Sequence, residues 1–268
     1  MKKTRLLGSI LTASILTTQT GCVTDGSNPL SSMGSSSTTS TTSITNSTGK
    51  APTPTISISD IESVPSVSIA KNLMGEQLDV TDVDAFIAEA SPNARHYPPN
   101  FPNEQQRYNT RTALKHYVNW IDQHAMVPDA SYDVLIRAAE LNGMARNLDM
   151  GSEYAVRASD YVAKALKIKS TAEANTLYGF LLAEGGGFKE GQKYLDRAIA
   201  LGSKEAIQSS AQTDLMRDKR SSALSRLKEL KLQHPVDPIL DQQIAIIESG
   251  KYYIWDIPAP NINVKHIY

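Results

Sequence analysis

The chain has 268 residues, of which 40% are hydrophobic, 6% aromatic and 21% charged, which is enough apolar material for one or two packed domains. Its 27 basic and 28 acidic residues give a formal net charge of −1 at pH 7, which argues against nucleic-acid binding, because neutralising phosphates needs a basic excess. One cysteine, Cys22, excludes an intrachain disulfide framework and any Cys-rich zinc or iron–sulfur site.

The N-terminus opens with Lys2, Lys3 and Arg5, continues through a short apolar stretch from Leu6 to Leu16, and reaches Gly21-Cys22 through small or polar residues. A spanning helix needs about 20 apolar residues, so this stretch is too short to be one. The segment resembles a bacterial lipoprotein signal peptide over residues 1–21. That resemblance implies that Cys22 becomes the first mature residue and carries a lipid. Val23 after it, where some bacteria use Asp for inner-membrane retention, implies the outer membrane. The other reading is a secretory peptide cleaved elsewhere, with Cys22 left as a free thiol. Losing residues 1–21 removes three basic residues and no acid, so 24 stand against 28 and the mature net charge is about −4.

Residues 22–60 read as a tether. Ser and Thr occupy 14 of the 18 positions from Ser31 to Thr48, and Pro52, Pro54 and an Ile/Ser alternation follow. Such a composition cannot offset its ordering entropy by apolar burial, so a disordered N-terminal tether is expected. As a flexible coil it would span about 30–36 Å on average.

Consecutive helices are expected beyond it. Thr81 caps a first helix with Val83, Phe86, Ile87 and Ala90 on one face, and Pro92, Pro98, Pro99 and Pro102 force an irregular connector. Asn103 caps a longer helix carrying Leu114, Tyr117, Val118, Ile121 and Ala125. Residues 61–129 thus form an N-terminal helical cap with a Pro-rich connector. Over 130–250 further apolar stripes follow: Val134, Leu135, Ala138 and Leu141; then Tyr154, Ala158, Tyr161 and Val162. Ser170 with Glu173 reads as a capping box, Gly185-Gly186-Gly187 as a helix stop, Gly202 as another, and Asp237-Pro238 as the start of a helix ending at Gly250.

Two of these helix pairs repeat. Leu177-Tyr178-Gly179, Gly191, Leu195 and Ala198 in one, with Ala211, Ala223, Leu227 and Leu230 shifted by 32 residues in the next, resemble the tetratricopeptide repeat (TPR). The segment from Ala198 to Ala206 and the Gly185 triplet also resemble the Sel-like repeat. The resemblance implies an all-α fold, a short α-α superhelix whose first helices line a concave groove. On the family's register Glu173, Thr176, Phe180, Glu205, Gln208, Gln212 and Leu215 face that groove, with Ala183 between them, and truncating Phe180 should spare stability while weakening a partner.

Two aromatic segments leave alternatives open. The connector from Arg95 to Pro102, with His96, Tyr97 and Phe101, is a rigid strap on the first helices or a docking epitope. The C-terminal tail, 251–268, carries Tyr252, Tyr253, Trp255 and Tyr268; it is a lid over the last helix or a docking tail that adds a strand to another protein. No two of the five histidines stand at the i, i+4 spacing of a helical zinc site, and no nucleophile elbow, phosphate loop or dinucleotide fingerprint occurs. No cofactor, metal or catalytic residue is therefore assigned. The expected function is that of a lipid-anchored, periplasm-facing adaptor that binds an envelope protein or peptide, held to the membrane through its N-terminal lipid, in a secretion system, pilus or cell-wall machine. The alternative is an enzyme or enzyme activator acting on peptidoglycan. Nothing in the sequence sets an oligomeric state.

Overall fold

The structure, a computed structural model, describes residues 67–71 and 76–262, so the expectations for Cys22, the tether and Tyr268 lie outside the described residues. The fold is all-α apart from one short antiparallel strand pair, β1 (Ile69–Lys71) with β2 (Gln77–Asp79), in which Ala70 stands opposite Leu78. That pair is a correction to the helical cap expected over 61–129. Its signal is the alternation Val67-Ser68-Ile69-Ala70, where Val67 and Ile69 are exposed and Ala70 is buried, the period-2 pattern of a strand with one covered face.

Nine helices follow among the described residues: α1 (Thr81–Ala94), α2 (Glu104–Ala125), α3 (Tyr132–Asn147), α4 (Ser152–Ile168), α5 (Ala172–Glu184), α6 (Phe188–Ala200), α7 (Lys204–Met216), α8 (Arg220–Gln233) and α9 (Pro238–Glu248). Local chemistry sets most of their ends. Asn103 accepts from the Gln106 N–H and Asp237 from the Ile239 N–H, each satisfying one of the donors a helix start leaves open. Two caps differ from expectation. Thr81 does not cap α1; its hydroxyl accepts from the Ser68 N–H and ties the helix to the residue before β1. Thr171, one residue after Ser170, caps α5 by accepting from the Ala174 N–H. Pro92 lies within the last turn of α1, and the helix continues two residues past it to Ala94.

The helices pack as pairs α3–α4, α5–α6 and α7–α8, and the first helices α3, α5 and α7 also touch in succession. Close approach within a pair depends on small residues. A Cβ on Gly191 would stand 2.6 Å from the Gly179 carbonyl oxygen and 2.9 Å from the Ala183 nitrogen, so only glycine fits between α5 and α6. In the next pair Ala211, Ala223, Leu227 and Leu230, displaced by 32 residues, are all buried in the same roles. One apolar cluster runs from Ala70 through α1–α5, and a second gathers α7, α8 and α9.

Candidate functional site

Arg95 and His96 follow α1 directly, and Pro98, Pro99 and Pro102 keep the next residues from resuming a helix. The Tyr97–Pro98 bond is cis. This connector lies across the inner face formed by α3, α5 and α7. Arg95 Nε donates to Glu205 Oε1 on α7 at 2.6 Å, and its NH1 donates to Glu140 Oε1 on α3, so one guanidinium bridges two repeats. His96 Nδ1 is 2.8 Å from Glu184 Oε1 on α5, and Nε2 is 3.4 Å from Glu205 Oε1. Arg146 of α3 donates to the other Glu184 oxygen at 2.6 Å.

Three carboxylates therefore face two guanidinium groups and one imidazole, with His96 and Glu184 largely buried and Glu205 30% exposed. Burial alone would lower the His96 pKa, but hydrogen bonds from the ring to Glu184 and Glu205, and the charges of both, outweigh it and raise it. The geometry agrees in direction: the ring sits between two carboxylates, with Nδ1 hydrogen-bonded to Glu184 at 2.8 Å and Nε2 3.4 Å from Glu205, a setting that favours its charged form. Burial would likewise raise the Glu205 pKa, yet Arg95 and His96 hold it far below the usual carboxylate range.

Aromatic rings close over this cluster. Trp255 stacks on His96 with centroids 3.9 Å apart and planes at 4°, Phe180 packs against His96 at 4.8 Å, and the Arg95 guanidinium lies 5.1 Å from the Phe180 centroid. Trp255 arrives on the tail. Gly250, at φ +91°, ends α9, and Arg220 holds the turn through the Ile247, Gly250 and Lys251 carbonyls. Ile254 then buries itself in the α7–α9 cluster. Beyond it the tail crosses to the connector and α2: Asn100 donates to the Ile257 carbonyl at 2.6 Å, Asn93 to the Pro260 carbonyl at 3.0 Å, and Gln106 accepts from the Ile262 N–H at 2.9 Å. Tyr253 donates its hydroxyl to the Pro98 carbonyl at 2.7 Å; burial and the Glu184 charge push its pKa up, so it remains a neutral donor.

A cleft of about 550 Å³ remains between this tail, the end of α1 and the starts of α7 and α9. Its walls include Ile239, Ile257, Pro258 and Pro260, and its polar groups include Glu205 and Gln208. Two side chains that line it carry polar atoms with no hydrogen-bond partner among the described residues, Asn93 Oδ1 and Trp255 Nε1.

The residues expected to face an open groove do converge on the inner face, but connector and tail cover most of them. Phe180 is 2% exposed and is interior, which corrects the expectation that its truncation spares stability. Leu215 is 1% exposed and belongs to the α7–α9 cluster rather than to a surface. Thr176 bonds the Ala172 carbonyl and shares a hydrogen bond with the Ser203 hydroxyl. Gln208 donates to Gln243. Gln212 grips the tail, donating to the Tyr252 carbonyl and accepting from the Ile254 N–H. Glu205 sits in the ion cluster, and Glu173, exposed at the start of α5, accepts from the Tyr132 hydroxyl at 3.1 Å. Of the tail residues, Tyr252 stacks under Arg220, and Tyr253 and Trp255 cover the connector.

Sequence reasoning passed over Arg95, Glu140, Arg146 and Glu184. The available signal was the adjacent pair Arg95-His96 before a proline run, two cations that a chain forced off its helix can lay against acids on the repeat helices. No group of three or more metal-ligating side chains is present among the described residues, and none of their helices is long and apolar enough to cross a membrane. No protein-family model matches the chain, and no curated protein or solved structure is significantly similar to it.

Proposed function

We propose that the protein is a lipid-anchored, periplasm-facing helical-repeat adaptor of the TPR or Sel-like kind, which holds a partner protein during assembly or positioning of a cell-envelope complex. It acts by binding and not by catalysis. The observation that carries this reading is how the tail is held: Gln212 of α7, Asn93 of α1, Asn100 of the connector and Gln106 of α2 grip it by its main chain, the mode by which a helical-repeat protein takes an extended peptide of loosely defined sequence. The cleft beside the tail, of a size that accepts a ligand segment on the order of 300–1,000 Å³, leaves space for an incoming chain. The lipoprotein-like N-terminus, with Cys22 as anchor, supplies the location.

A photo-crosslinking residue at Ile239, which lines the cleft, tests the reading. In membranes from cells making this variant, a discrete protein adduct that an excess of unlabelled chain competes away supports it. Adducts to nothing but lipid, or none, would set the adaptor reading aside.

A further inference from the structure

The segment from Trp255 to Ile262 differs from everything around it in how it is held. Ile254, fully buried, pins the chain at one end. After it, Asp256, Pro258, Pro260 and Asn261 are exposed, and only Trp255, Ile257, Ala259 and Ile262 turn inward. Its polar contacts with α1, the connector and α2 run to its main chain, except that Gln106 also donates to the Asn261 side chain at 3.0 Å, so they demand an extended segment and specify little of its sequence. Specific recognition is concentrated in one ring, Trp255, flat against His96. The surface beneath is densely ion-paired: Arg95 and Arg146 oppose Glu140, Glu184 and Glu205, with His96 set between Glu184 and Glu205, and Lys204 at the rim is paired with Asp237 at 2.7 Å. Asn93 Oδ1 remains without a partner beneath the strap, so the strap leaves one acceptor of the site unused.

We infer that Trp255–Ile262 is an exchangeable strap, a resident occupant of the surface formed by α1, the connector and α2 that an extended, aromatic- and proline-bearing segment of a partner protein displaces. This rests on the adaptor reading and names the chemistry of the partner. The incoming segment lays an aromatic ring on His96 in place of Trp255, offers its carbonyls to Asn93 and Asn100, and spreads into the adjoining cleft. Ile254 stays pinned, so displacement costs the strap and leaves the α7–α9 cluster intact. A strap attached to its own site competes at an effective concentration on the order of millimolar, so only a well-matched partner segment displaces it.

The probe is a fluorescein-labelled peptide with the sequence of residues 253–262, titrated into the full-length mature chain and read by anisotropy. Trp255→Ala weakens the resident strap and leaves its site intact, so this variant should bind the probe at least tenfold more tightly than the wild type does. A scrambled peptide should not bind, and adding Asn100→Ala to the variant should abolish the gain. Equal affinity for wild type and Trp255→Ala, with the variant showing the wild-type circular dichroism, would make the strap a fixed part of the fold and overturn the inference. If Trp255→Ala does not fold, hydrogen exchange of the wild-type chain decides: the Asp256, Ile257 and Ile262 amides should exchange at least tenfold faster than those of central α7, and exchange at the same rate as α7 would overturn it. The two readings fail separately. Probe binding without any adduct at Ile239 removes the adaptor and keeps the strap, and an adduct with a strap that never opens does the reverse.

Discussion

At the scale of single residues, His96 decides more than its size suggests. Its pKa is raised in the folded chain by Glu184 and Glu205 against the cost of burial, and a group raised on folding contributes stability that is complete below its unfolded value, 6.5, and is lost as pH rises through the folded value. Glu205 is depressed, so its contribution is present above its ordinary value of 4.5 and lost only in strong acid. The chain should therefore be most stable at mildly acidic pH. Urea midpoints at pH 5.5, 7 and 8.5 should fall across that series for the wild type and flatten in His96→Gln; parallel slopes would show that His96 does not carry the dependence. Phe180 supports the same cluster from below. Because it is buried against His96 and Arg95, Phe180→Ala should cost about 3–5 kcal/mol in a urea titration, and a change below about 1 kcal/mol would mean that the ring is dispensable to the packing.

At the scale of elements, the α5–α6 contact is the tightest point of the repeat. A methyl on Gly179 meets chiefly the Leu195 side chain, at 2.7 Å, with the Leu195 backbone nitrogen at 3.0 Å, whereas a methyl on Gly191 meets backbone atoms of α5 at 2.6 and 2.9 Å, which cannot move independently. Gly191→Ala should accordingly destabilise by about 1–3 kcal/mol and more than Gly179→Ala; the reverse order in thermal melts would contradict this account of the pair. Helices like these were legible because their signals are local. Asn103, Asp237, Gly202 and Gly250 act within a few residues of themselves, and the 32-residue offset links Gly179 and Gly191 to Ala211 and Ala223 by pattern alone. The ion cluster was not legible, because its members are far apart in sequence: Arg95 stands 45 residues from Glu140 and 110 from Glu205, and His96 stands 88 from Glu184. The register did bring Phe180, Glu205 and Gln212 to one face. Whether that face is open depends on where an irregular connector and an irregular tail go, and neither has a periodicity to read.

At the scale of the whole molecule, the proposed anchor and the folded part should be separable. Among the described residues the buried apolar clusters draw on Ala70 and the helices after it, so a chain without its first 60 residues keeps every one of those side chains. A chain beginning at Asp60 should keep the helical circular dichroism of the mature protein and melt within a few degrees of it, and a larger drop would show that the leading residues stabilise the fold. That chain also isolates the role of Cys22. On the lipoprotein reading a single cysteine is the sole covalent link to the membrane, and the described helices offer no spanning segment to replace it. Metabolic labelling with a fatty-acid analogue should mark the wild type and not Cys22→Ala, and the latter should move from the membrane to the soluble fraction together with the chain that begins at Asp60. Retention of Cys22→Ala in the membrane, with release only of the shorter chain, would shift the anchor from the thiol to the uncleaved apolar stretch between Leu6 and Leu16.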